Sequence, residues 1–146
     1  MSYSPGLLKL MGIKIATVLL DQERYEPEQR LWQAVLVNAF EDVVSNASDK
    51  KSAIAKWQAH NWFTKDVKDL ESICYLAGFD PEYVQERYHI AVDSNKIKFN
   101  ERQIAWGKYY EILIRYHESE DREQRRIIKK ELEIARNKVF KTKFIE

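Results

Sequence analysis

The sequence predicts an all-α protein: a helical N-terminal unit containing a helix-turn-helix, followed by a long antiparallel helical hairpin. Three observations carry this. The 146 residues hold only four glycines and three prolines, too few for the tight turns of a strand-rich fold. Apolar residues recur at three- and four-residue spacing along most of the chain. Helix-entry signals (Ser4-Pro5, Pro27, Asp80-Pro81, Asn100) punctuate that pattern at intervals suited to helices.

The first element enters at Ser4, with Pro5 in its first turn. Residues 7–20 alternate at Ile13, Ile15, Thr17 and Leu19 like a strand, yet Leu7, Leu8, Met11, Ile15, Val18 and Leu19 also line a helix face. Helix is preferred because no partner strand is evident elsewhere. The stretch is too short to span a bilayer, is interrupted by Lys9 and Lys14, and lacks a small-residue cleavage site. No membrane association and a cytoplasmic location are expected, in the host cell if the protein is viral.

A second helix runs from Pro27 to about residue 44, with Leu31, Val35, Phe40 (beside Ala39) and Val43 as its inward stripe, widened by Trp32 and Leu36. Ser48 or Asp49 caps a third through about residue 62, with Ile54, Trp57 and Asn61 inward. Thr64 opens a fourth, ended by Gly78, and Asp80-Pro81 opens a fifth to about residue 92. A polar loop near 94–98 separates units 1–93 and 99–146. Beyond it, Asn100 and Gln103 have the spacing of a capping box. That helix extends to about residue 117, and Ser119 opens a last one to about 140. Ile127, Ile128, Leu132, Ala135 and Val139 form a narrow apolar seam in the last helix.

Residues 70–88 are the segment with the most specific local chemistry. Ile73, Cys74 and Ala77 face inward. Gly78 supplies a left-handed residue, Phe79 plugs the turn, Asp80 caps, and Val84 packs back on the preceding helix. In a helix-turn-helix the second helix would present Glu82, Tyr83, Gln85, Glu86, Arg87 and His89, with Gln85 and Arg87 as base or phosphate readers. Glu82 and Glu86 repel phosphate and shift the expected affinity toward the tail. There Arg122, Arg125, Arg126, Lys129, Lys130, Arg136, Lys138, Lys141 and Lys143 outnumber the acidic residues. A net charge of +1 excludes nucleic-acid binding by overall charge, so a local patch must serve. The alternative for each is an ordinary helical corner and a solvated helix face.

Catalytic signals are absent from the pattern. Cys74, the single cysteine, excludes an internal disulfide and lies on an apolar face, as an inert thiol does. His60, His89 and His117 are scattered without metal-ligand spacing. Glu26 with Glu28, and Glu41 with Asp42, point apart on a helix. Gly6, Gly12, Gly78 and Gly107 are isolated, so no phosphate-binding loop exists. Trp57, Trp62 and Phe63 read as core. No enzyme, cofactor or metal is expected.

The order of parts resembles the small terminase subunits of tailed bacteriophages, and Trp62-Phe63, Asp69, Ile73-Cys74, Ala77-Gly78, Asp80-Pro81 and Val84 resemble a segment of short phage and prophage proteins. The resemblance implies a non-enzymatic homo-oligomer that binds double-stranded viral DNA and presents it to a packaging motor subunit. Ile104, Tyr110, Leu113, Ile128, Leu132 and Val139 would join its subunits. A dimeric helix-turn-helix transcription regulator, and a virion or adaptor protein without DNA contact, are the other readings.

Overall fold

The computed structural model describes residues 3–142. Regular structure among them is entirely helical: α1 (Pro5–Met11), α2 (Ile13–Leu20), α3 (Pro27–Val44), α4 (Lys50–Thr64), α5 (Val67–Ala77), α6 (Pro81–Asp93), α7 (Glu101–Glu118) and α8 (Arg122–Lys141), with a short 3-10 turn at Gln22–Arg24. No helix among the described residues is long and apolar enough to cross a membrane. The chain forms two compact units. One comprises Met1–Ser45 and Gln58–Lys98, the other Asn46–Trp57 and Phe99–Glu146. The first half of α4 therefore belongs with α7 and α8, a grouping that its position in the sequence does not suggest.

In the first unit, Ser4 accepts the Leu7 N–H at 3.1 Å, and Pro5 sits in the opening turn. The stretch expected as one helix is two. Gly12, at φ +93°, breaks it, and Met11 and Ile15 are fully buried on either side. The inward stripe of α3 is rotated from the expected one. Gln33, Leu36, Val37, Phe40 and Val43 are buried, while Leu31 is 60% exposed. The cause is Gln33. Its amide donates to the Ala77 carbonyl at 3.0 Å and accepts from Gln22 at 2.9 Å, which draws that face against the end of α5.

Phe63, on the second half of α4, stacks on Tyr88 with ring centroids 4.3 Å apart and lies 4.8 Å from Phe40. His60 meets the Tyr88 hydroxyl at 2.5 Å. Thr64 ends α4 rather than opening the next helix, and its hydroxyl donates to the His60 carbonyl. Gly78 follows α5 at φ +87°, where a side chain is strained. The N–H groups of Gly78 and Phe79 close back on the Tyr75 and Cys74 carbonyls at 3.3 and 2.8 Å. This is a Schellman-type end with Phe79 buried beneath it. Asp80 then caps α6 through the Glu82 N–H at 3.0 Å.

The second unit is organised by α7. Asn100 and Gln103 complete the capping box, at 2.8 and 3.0 Å. Gln103 also donates to the Ala47 carbonyl at 3.0 Å and accepts from the Lys56 ammonium at 3.1 Å. Trp57 lies directly over Gly107, where any Cβ would overlap its six-membered ring, and its indole N–H donates to Glu111 at 2.8 Å. The start of α7 meets the end of α8: Arg102 donates to the Val139 and Thr142 carbonyls at 3.4 and 3.3 Å, and Trp106 packs edge-on to Phe140. Farther along, Arg115 pairs with Glu131. Leu113, Leu132, Ala135 and buried Val139 pack with Trp106 and Tyr109 between the two helices. Asp121, not Ser119, caps α8, while Ser119 ends α7.

Lys56 is 1% exposed, and burial pulls its ammonium down to about 8. Below that pH it is charged in both the folded and the unfolded chain. Between about 8 and its ordinary 10.5 it is charged only when unfolded, so the folded state gains stability as pH rises through that window. Methionine at this position does not titrate. The stability difference between Lys56→Met and the wild type, from urea unfolding, should shift toward the wild type by up to about 3 kcal/mol between pH 7 and pH 10. A difference that stays constant would show that Lys56 is not charged and buried at neutral pH.

Candidate nucleic-acid interface

The helix nominated for DNA reading, α6, is largely occupied by its own unit. Arg87 is half-buried, and its guanidinium donates to the carbonyls of Leu10 at 3.2 Å and Lys9 at 3.0 Å. These are last-turn carbonyls of α1, which have no helical partner of their own. Tyr83 accepts the Lys14 N–H at 3.3 Å, and the Lys14 ammonium lies over its ring. Gly12 makes this approach possible, since a Cβ there would collide with both Tyr83 and Arg87. Gln85 is half-buried. What α6 leaves to solvent is Glu82, Glu86, His89, Ile90 and Asp93, a face unfavourable to phosphate. The role of Arg87 was invisible in the sequence because Lys9 and Leu10 lie more than seventy positions away.

Charge is divided between the units. The first carries nine Lys and Arg against thirteen Asp and Glu; the second carries fifteen against ten. Most of the excess is on α8, with eight cations against three carboxylates. Its side chains point in three directions. Ile128, Leu132, Ala135 and Val139 turn toward α7. Arg122, Arg125, Arg126, Lys129 and Arg136, at helical spacing, form an exposed basic stripe that includes one carboxylate, Glu133. Lys138 and Lys141, also exposed, follow Ile127, Glu131 and Ile134 on a third face, and Lys130 lies between that face and the stripe.

The expected DNA-contacting residues therefore do not converge on one surface. Arg122, Arg125, Arg126 and Lys129 share the stripe, Lys138 and Lys141 do not, and Lys143 lies outside the described residues. Within the stripe, Arg126 approaches Glu123 at 3.8 Å. Arg125 donates to the Ser119 carbonyl at 2.8 Å and covers the Tyr116 ring. Arg122, Lys129 and Arg136 have no ion-pair partner among the described residues. Of the expected subunit seam, Leu113, Leu132 and Val139 are engaged between α7 and α8, and Tyr110 and Ile128 are half-buried. Ile104 is exposed.

Among the described residues, no three His, Cys, Asp or Glu side chains are grouped to hold a metal. Cys74 is fully buried, and burial with Asp80 and Glu71 nearby pushes its thiol up to about 12, far from the thiolate form a nucleophile needs.

Because Arg87 ties α1 to α6, Arg87→Ala should lower stability in urea by about 1 kcal/mol, leaving the part-buried Leu10 carbonyl unsatisfied. DNA affinity at a temperature where the variant is folded should be unchanged. A loss of affinity without a loss of stability would restore Arg87 as a DNA contact.

No family model, no curated protein and no solved structure matches this chain.

Proposed function

We propose that the protein is a non-enzymatic, oligomeric DNA-binding protein that holds the phosphate backbone of double-stranded DNA through the basic stripe of α8. The observation that carries this is the exposure of Arg122, Arg125, Arg126, Lys129 and Arg136 along one face of a helix with eight cations and three carboxylates. Arginine and lysine on a straight, exposed ridge neutralise successive phosphates and release their counterions. Bound this way, DNA is gripped without its sequence being read, which accords with an α6 whose outer face is acidic and whose arginine is occupied. The helix-turn-helix of α5 and α6 then acts as scaffold, and α7 with α8 forms the antiparallel hairpin that displays the stripe. The chemistry suits a terminase-like ring that feeds a packaging motor. It equally suits a smaller regulator, and the native mass of the assembly separates the two.

The combined substitution of Arg122, Arg126 and Lys129 by glutamate tests the reading. These side chains are exposed, so helicity by circular dichroism should be retained. Affinity for a duplex of arbitrary sequence should fall at least tenfold. The slope of log affinity against log salt should shrink by about 3, one for each lost phosphate contact. An unchanged slope would remove α8 as the DNA contact.

A further inference from the structure

The third face of α8 carries two exposed isoleucines, Ile127 and Ile134, among charged residues. Ile127, Glu131, Ile134, Lys138 and Lys141 repeat at steps of four and three residues, the spacing with which one helix packs along another. Ile127 is 57% exposed and Ile134 is 69% exposed, on a helix whose other outward positions are charged apart from Gln124, Asn137 and Phe140. Beside Ile134 runs a groove of about 300 Å³ between α7 and α8, floored by Ala105, Ile112 and Ala135 and edged by Lys108, Lys138 and Glu131. Arg115 holds the Glu131 side chain at that edge.

We propose that a second copy of this chain docks on this face, its α8 antiparallel to the first, with the two-fold axis passing beside Ile134. Charge selects this occupant and this direction. Glu131 lies three residues before Ile134, and Lys138 lies four after it. Antiparallel pairing about Ile134 sets Glu131 of each copy against Lys138 of the partner subunit, twice over, and stacks the two Ile134 side chains at the axis. Parallel pairing would oppose glutamate to glutamate and lysine to lysine. Ile112 and Ala135 supply the apolar hollow beside the axis. The basic stripe lies on a different face of α8, so pairing leaves it open. The proposal deepens the oligomeric part of the function proposed above and is independent of its DNA part. It moves the subunit contact from Leu113, Leu132 and Val139, which are engaged between α7 and α8, to Ile127 and Ile134.

Cysteine cross-linking reads the axis directly. Native Cys74 is buried and its thiol is held up to about 12, so it does not compete. Under a glutathione redox buffer, Ile134→Cys should convert most of the protein into a covalent dimer. Ile127→Cys should not, since the two copies of that position sit about 21 Å apart along antiparallel helices, seven residues to each side of the axis. In light scattering the wild type should be a dimer at micromolar concentration, and Ile127→Glu with Ile134→Glu should be a monomer with unchanged helicity. A monomeric wild type overturns the proposal, as does equal cross-linking at the two positions. None of these readouts involves DNA. Failure here leaves the phosphate-binding stripe standing, and failure of the salt-slope experiment leaves the dimer standing.

Discussion

The side-chain amide of Gln103 is the junction on which the second unit depends. Its oxygen accepts from the Asn100 N–H, closing the cap of α7, and from the buried Lys56 ammonium; its nitrogen donates to the Ala47 carbonyl. One planar group thus satisfies a helix end, a loop and a charge in a place where each would otherwise be costly. With the start of α7 held, Arg102 and Trp106 meet the far end of α8, and Arg115 meets its middle. The direction in which every cation of α8 points follows from that registry.

Much of the local structure was legible because its determinants lie within a few residues. The cap at Ser4, the proline entries, the turn at Gly78 with Phe79 beneath it, and the capping box at Asn100 are each written by residues two to five positions apart. What was not legible depends on distant partners. Gln33 looks like a surface residue until Ala77 is placed beside it, forty-four positions later, and its burial turns α3 away from the face that Leu31 and Val35 suggest. Lys56 reads as an exposed lysine in the middle of a helix and is in fact core. Gly12 gives no warning, in a run compatible with one continuous helix, of the break that lets Tyr83 and Arg87 come close.

The candidate site was legible as a composition and illegible as a surface. Counting cations in the tail identifies α8, but a count does not say that Arg122, Arg125, Arg126 and Lys129 share a face while Lys138 and Lys141 lie on another. The apolar residues behave alike. The seam expected to join subunits is partly taken up by packing between α7 and α8, and of its two isoleucines only Ile104 remains exposed. A helix with three distinct faces can pack, pair and bind a polyanion at once, provided that no face is asked to do two things.

The division of α4 between the units bears on how the molecule can be cut. A fragment beginning at Phe99 would look, by its helices, like a complete hairpin. It would lack Ala47, Lys56 and Trp57, leaving Gln103 without two of its partners and Gly107 bare of the indole that covers it. The complementary fragment ending at Lys98 would keep the first half of α4 with Ala53 and Lys56 stripped of cover. Neither half is a self-sufficient module. In this chain, recombination or truncation at the obvious loop would damage both products.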